Sequence, residues 1–182
     1  MINEKQNKAI SKFLSLVLRH QPELIGIELD ESGWTDVQIL IEKSNSSGHH
    51  FDEQTLKHIV ETNEKKRFAF NELFDKIRAS QGHSVDIQLG YDSQKPPEIL
   101  YHGTGKMSVD SILQTGIEKR RRQHVHLSKD IETALTVGSR HGKPVVLIVL
   151  AEEMFQDNFL FFLSENNVWL TDHVPSKYLK NM

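Results

Sequence analysis

The sequence predicts an α+β fold in two parts, the first helical and closed by one hairpin, the second built on short strands. Three observations carry this. Apolar residues recur at three- and four-residue spacing over residues 4–20, which is the period of a helix with one buried stripe. Over residues 85–98 the composition shifts to Gly90, Asp92, Ser93 and the pair Pro96-Pro97, which reads as a linker. Beyond it the pattern resets to short apolar runs, and Val145 to Leu150 is continuous, as in a strand buried on both faces.

In the first part, Ala9, Ile10, Phe13, Leu14, Val17 and Leu18 make the apolar stripe. Pro22 ends this helix, because the residue before proline is pushed out of helical geometry. Arg19 and His20 are thereby left at its C-terminal end, where the helix dipole favours cations. Residues 27–34 read as a short strand and a turn broken at Gly33. Thr35-Asp36-Val37-Gln38 fits a capping box ahead of a second helix carrying Val37, Leu40 and Ile41. Residues 44–50 form a loop, and Asp52 can cap a third helix through Leu56, Ile59 and Val60. Phe68 and Phe70 alternate with polar neighbours, Asn71-Glu72 can turn, and the chain continues extended from Phe74 to Arg78, a hairpin pattern. Helix, short strand, helix, helix, hairpin is the order of a winged helix, assigned here to residues 1–90. That order alone does not establish nucleic-acid binding.

A linker is expected over 91–98 and a second lobe over 99–182. Ile99-Leu100-Tyr101 is a strand entering His102-Gly103-Thr104-Gly105. A helix over about 108–115 stops at Gly116, a good C-terminal cap. Val125 and Leu127 alternate with His124, His126 and Ser128, so both histidines face one side of a strand. A helix over 130–140 and strands over 145–150, 159–163 and 168–171 complete the lobe.

Composition excludes several chemistries. The 182 residues contain no cysteine, which removes disulfides, thiolate metal sites and cysteine nucleophiles. The start of the chain is polar and no apolar run approaches a membrane span, so a cytoplasmic protein with no membrane partner is expected. The formal net charge of −3 argues against a broad basic groove for nucleic acid, and phosphate contact should be local. The basic runs Lys65-Lys66-Arg67 and Lys119-Arg120-Arg121-Arg122 read as solvated faces.

One stretch resists a packing explanation. Ile77-Arg78-Ala79-Ser80-Gln81-Gly82-His83-Ser84 has no apolar face at a helix period, yet nearly every side chain can donate a hydrogen bond. It reads either as a glycine-centred anion cradle or as a polar turn between strands. Arg19-His20 and Arg140-His141-Gly142 are further cationic pairs at the ends of elements, and together they point to an oxyanion site. His124 and His126, with His102, His49 and His50, offer imidazoles for zinc, but no H-E-x-x-H motif accompanies them and no metal is expected. His102-Gly103-Thr104-Gly105 matches neither of the glycine-rich phosphate motifs. A strand ending in His-Gly-Thr can still present backbone groups to a ligand, with glycine allowing close approach.

Five motifs stand in order: Leu18-Arg19-His20-Gln21-Pro22, residues 77–84, Tyr101-His102-Gly103-Thr104, His124-Val125-His126-Leu127-Ser128 and Gly138-Ser139-Arg140-His141-Gly142. The set resembles the RNA 2′-phosphotransferase (KptA) family over nearly the whole chain. The resemblance implies a winged-helix lobe and a C-terminal lobe with the NAD-binding fold of ADP-ribosyltransferases. It also implies that an internal 2′-phosphate of a tRNA-like RNA is transferred to NAD⁺ in two steps. The phosphate first attacks C1″ of the nicotinamide ribose and expels nicotinamide. The ribose O2″ then attacks phosphorus, which releases 2′-hydroxyl RNA and ADP-ribose 1″,2″-cyclic phosphate.

On this resemblance Arg19, His20, Arg78 and Arg140 are the catalytic group. His102, Gly103, Thr104, His126 and Ser128 face NAD⁺, and Ser111, Ile112 and Gly116 line its adenosine end. NAD⁺ is consumed as a co-substrate, no metal is needed, and the protein is expected to be a monomer. Many ADP-ribosyltransferases carry a late-strand glutamate, and Val168 to Pro175 offers none, which fits an acceptor that is already anionic. Two alternatives remain open: ADP-ribosylation of terminal phosphates on nucleic acid, and a non-catalytic winged-helix regulator that senses NAD.

Overall fold

In the computed structural model, which describes residues 3–182, the first helix starts on a reciprocal cap. The Asn3 side chain accepts from the Gln6 N–H, and the Gln6 side chain accepts from the Asn3 N–H. Helix α1 (Glu4–Val17) buries Phe13, Leu14 and Val17 and ends earlier than the apolar stripe suggested. His20 N–H still donates to Leu16 O at 2.9 Å, so Arg19 and His20 lie in a closing turn before Pro22.

Residues 27–34 form no strand. Asp30 Oδ1 accepts from the N–H groups of Ser32 and Trp34, at 3.0 and 2.9 Å, and bends the chain. The strand β1 is only Thr35–Asp36. Helix α2 (Val37–Ser46) is capped by Asp36 rather than Thr35, since the carboxylate receives the N–H groups of Gln38 and Ile39. Thr35 is instead buried in β1 opposite Ile77. Asp52 caps α3 (Glu53–Glu61) through Thr55 N–H at 2.8 Å, as its sequence suggested.

The hairpin strands are β2 (Phe68–Phe70) and β3 (Lys76–Ala79), and the antiparallel sheet runs β1-β3-β2. Leu14, Leu40, Leu56, Ile59 and Ile77 are fully enclosed. Each such side chain contributes about 1.5–3 kcal/mol relative to exposure. The donor-rich stretch 77–84 is not an exposed loop. Its first half is the central strand β3, and Ile77, Arg78, Ala79, Ser80 and His83 are all buried. This strand is the second arm of the hairpin read over Phe74 to Arg78, and its burial on both faces leaves it without apolar-polar alternation.

The chain divides into two compact units, residues 1–90 and 91–182. The second contains β4 (Leu100–Gly105), α4 (Val109–Thr115), β5 (Ile117–Glu118), β6 (Val125–Leu127), α5 (Ile131–Gly138) and β7 (Pro144–Val149). It continues with α6 (Ala151–Gln156), β8 (Phe162–Leu163), β9 (Trp169–Thr171), β10 (His173–Val174) and β11 (Leu179–Asn181). Three small antiparallel sheets result, ordered β11-β7-β4, β6-β9-β8 and β10-β5.

Strand β7 is central and buried, as its apolar run indicated. Part of the segment read as a linker is held on the second unit. Ser93 bridges Phe162, Gln94 N–H donates to Phe161 O at 2.8 Å, and Lys95 pairs with Glu152 at 2.7 Å. Among the described residues no helix is long and apolar enough to cross a membrane.

Candidate functional site

In the first unit, the end of α1 and the end of β3 are tied to one another. Ser84 N–H donates to Arg19 O at 2.9 Å, and His20 Nδ1 lies 2.9 Å from Ser84 Oγ. The half-buried Arg19 donates through Nη2 to Arg67 O at 3.3 Å, and the same carbonyl accepts Ser80 N–H at 2.9 Å. Ser80 Oγ donates to Lys66 O at 2.8 Å. Arg78 leaves β3 with its guanidinium 4.4 Å from the centre of the Trp34 ring, and its Nη1 donates to Ser32 O at 3.4 Å. Backbone carbonyls, a hydroxyl and a ring face thus orient two guanidiniums and an exposed imidazole. Such a set favours a multiply charged anion.

His83 belongs to this group too, although the sequence marks it only as one more polar residue of the donor-rich stretch. It is 1% exposed, and neither ring nitrogen has a hydrogen-bond partner among the described residues. Burial, then the charges of Arg19, His20 and Arg78, push its pKa down to about 3. The ring is neutral at physiological pH and adds no positive charge to the two arginines. Trp34 is a second member without a sequence signal. It follows a glycine in a turn, and nothing in the local pattern shows that Arg78 will lie over it.

In the second unit, Tyr101 and Ser128 exchange backbone hydrogen bonds of 2.9 and 2.8 Å, which sets β4 beside β6. His102 Nδ1 then faces His126 O at 3.4 Å. A carbonyl can only accept, so this nitrogen carries the proton and Nε2 is left as an acceptor. Burial depresses the His102 pKa, the bond to His126 O opposes it, and His141, Arg120 and Arg122 add to the depression. Arg122 Nη1 donates to His126 Nδ1 at 3.4 Å, which assigns the His126 proton to the other nitrogen. Desolvation and then the Arg140 charge hold the Arg122 pKa below the ordinary arginine value. The run 119–122 is exposed, as a solvated face would be, but Arg122 also reaches His126 and feels the repulsive like charge of Arg140.

Gly103 and Gly105 do not give their room to a ligand. A Cβ on Gly103 would stand 1.7 Å from Ala134 O, and one on Gly105 would stand 2.1 Å from His141 O. Both glycines let β4 press against α5 and the turn Ser139–His141, which carries the exposed Arg140. Thr104 is buried between them in sequence. Ser111 is exposed on α4, Ile112 is in the core, and Gly116 caps α4 at φ +90° with its N–H on Ile112 O. Of the residues assigned to NAD⁺, Ser128 lines a cavity of about 450 Å³, with Lys129, Asp130, Leu163 and Val168. Glu165 sits exposed in the turn between β8 and β9.

The catalytic candidates divide between the units, with Arg19, His20 and Arg78 in the first and Arg140 in the second. Among the described residues no three His, Asp or Glu side chains are grouped to hold a metal ion.

Comparison with known proteins agrees with the motifs. The family described as "RNA 2'-phosphotransferase, Tpt1 / KptA family" matches residues 5–173. A protein of Flavobacterium johnsoniae named "Probable RNA 2'-phosphotransferase" is 56% identical over 179 residues, covering 98% of each chain. Proteins of the same name from Fusobacterium nucleatum and Agrobacterium fabrum are 51% and 53% identical. They cover 94% of this chain in both cases, and 96% and 92% of their own. The chain belongs to the RNA 2′-phosphotransferase family.

Proposed function

We propose that this protein is an enzyme that removes an internal 2′-phosphate from RNA by transferring it to NAD⁺. The observation that carries this reading is the group Arg19, His20 and Arg78, held around Ser84, Trp34 and Arg67 O in a chain of this family. The first unit is read as a winged helix, which its three helices and terminal hairpin support. The second is read as an ADP-ribosyltransferase-like lobe. The protein is taken to act in the cytoplasm as a monomer.

A phosphate monoester has its second pKa near about 6, so at neutral pH it is largely a dianion and needs no base to become a nucleophile. It needs to be positioned, and its charge must be matched as the phosphorus is attacked. Arg19 and Arg78 supply fixed donors for this, and Arg140 is assigned to the same catalytic group. Ser84 holds Nδ1 of His20, so Nε2 is oriented to move a proton to the departing RNA 2′-oxygen. In the first step a phosphate oxygen bonds to C1″ and the bond to nicotinamide breaks. In the second, O2″ bonds to phosphorus and the bond to the RNA oxygen breaks.

The second unit's residues fit a dinucleotide co-substrate. His102 Nε2 can accept from an amide N–H or a ribose hydroxyl, Arg122 offers charge for a diphosphate, and the cavity beside Ser128 has the size of a nucleoside site.

The experiment compares RNA bearing an internal 2′-phosphate with the same oligonucleotide bearing only a 5′-phosphate. The 2′-phosphorylated RNA should release nicotinamide from NAD⁺ and end as 2′-hydroxyl RNA. Release with the 5′-phosphate alone would instead select terminal ADP-ribosylation, and no release with either would select the regulator. Arg19→Ala and His20→Ala should accumulate ADP-ribosylated RNA phosphate, whereas His102→Ala should slow the first step and accumulate none.

A further inference from the structure

We infer that the turn between α3 and β2, residues 63–67, is a second phosphate site that takes an RNA phosphodiester flanking the 2′-phosphate. The inference rests on the proposed function and adds a place for the neighbouring backbone. The sequence alone makes Lys65-Lys66-Arg67 a solvated run. The structure makes it part of the cradle's wall.

Two carbonyls of this turn are acceptors for the anion-site residues: Arg67 O receives Arg19 Nη2 and Ser80 N–H, and Lys66 O receives Ser80 Oγ. The turn is also fixed from its other side. Lys66 N–H donates to Asn63 O at 2.8 Å, and Asn63 Nδ2 donates to Ser11 Oγ on α1 at 3.3 Å. Arg67 Nη1 reaches Asn63 Oδ1 at 3.5 Å.

Lys66 sits at φ +40°, a left-handed position where glycine or asparagine is relaxed and a long side chain is strained. A lysine held there, with Lys65 also exposed, places two ammonium groups on a rigid turn. The turn carries Glu64 against Lys65, Lys66 and Arg67, a net charge of +2. A hydrogen bond from Arg19 to Arg67 O ties this charged turn to the cradle.

This surface suits a polyanion with regularly spaced phosphates. A single phosphate would already be served by Arg19 and Arg78. An RNA strand brings a phosphodiester on each side of its 2′-phosphate, within reach of a second cationic turn. Lysine ammoniums suit that partner because they bind phosphate as point charges and do not read bases.

The test measures binding of a labelled seven-nucleotide RNA with an internal 2′-phosphate, and of a nucleoside 2′-monophosphate by competition. The variant is Lys65→Gln with Lys66→Asn, since asparagine tolerates the left-handed backbone. It should bind the oligonucleotide about tenfold more weakly at low salt. Its slope of log K against log salt should be shallower by about 0.7, the contribution of one phosphate neutralised on a single strand. Affinity for the nucleoside monophosphate should not change. Lys65→Arg with Lys66→Arg keeps the charge and should retain oligonucleotide binding, which controls for damage to the turn.

Equal weakening for both ligands would place the lysines in the cradle itself and overturn the inference, as would no weakening for either. If the unaltered protein fails to prefer 2′-phosphorylated over unphosphorylated RNA, the proposed function falls and takes this inference with it. A protein that prefers it but ignores the lysine changes sinks only the inference.

Discussion

The Arg78 guanidinium lies over the Trp34 indole, 4.4 Å from its centre. Arg78 leaves the central strand β3 and Trp34 follows the Asp30 turn, so a strand and a loop meet through a ring face and a charge. The contact does not neutralise the guanidinium. It holds the planar fork in one orientation while leaving its charge available, since a ring face carries only partial negative charge.

Trp34→Ala should therefore weaken binding of 2′-phosphorylated RNA by about tenfold, the scale of a partly desolvated cation–π contact of about 1–2 kcal/mol. Trp34→Phe, which keeps a ring face, should recover most of that affinity. Isothermal titration of both variants decides the matter. Equal weakening by alanine and phenylalanine would mean that the indole acts through packing alone.

His83 predicts an acid-sensitive first unit. Its folded pKa of about 3 lies below the ordinary value of 6.5, so between those values the unfolded chain takes a proton that the folded chain refuses. Stability is then untouched above pH 6.5 and declines progressively as pH falls from 6.5 toward 3. Burial also depresses His102 and His124 in the second unit, in the same direction. Denaturant melts of His83→Leu from pH 7 to pH 4 should show a smaller acid destabilisation than the parent, reduced and not abolished. An unchanged pH dependence would show that His83 takes a proton without cost. Leucine also removes two buried nitrogens that have no partner among the described residues, so the variant should be no less stable at pH 7.

Gly103→Ala should be among the most damaging single changes in the second unit. The new Cβ meets Ala134 O at 1.7 Å, and backbone on both sides must part. A destabilisation of about 3 kcal/mol or more is expected from such overpacking. Gly48→Ala is the control, since Gly48 has φ +84° but open space around its Cβ. It should cost only about 1 kcal/mol, from backbone conformation alone. Thermal melts of the two variants give the comparison, and similar shifts would refute the packing argument.

Much of the architecture is local in origin and was legible residue by residue. Asp52 before Leu56 and Ile59 announced α3, the run 145–150 announced β7, and Gly116 announced the end of α4. The five motifs, read in order, led to the family that the comparison finds over residues 5–173. These signals are readable because caps, periodicity and chain-order motifs depend on residues near one another in sequence.

Other features depend on elements far apart in sequence. No local pattern puts Trp34 under Arg78, or Arg67 O against both Arg19 and Ser80, because each contact needs β3 placed first. The same is true of His83, whose polarity reads as exposure until the packed sheet encloses it. Gly103 looked like room for a ligand, and only the packing of α5 on β4 shows that Ala134 O fills that room. The sequence by itself thus determined five of the helices, though not α6 (Ala151–Gln156), together with the buried strand β7, the family and the residue types for an anion site. Tertiary structure alone decided which of those residues are buried, which backbone carbonyls hold them, and how their charges shift one another. Those properties follow from the distance between chain segments, which residue identity does not encode locally.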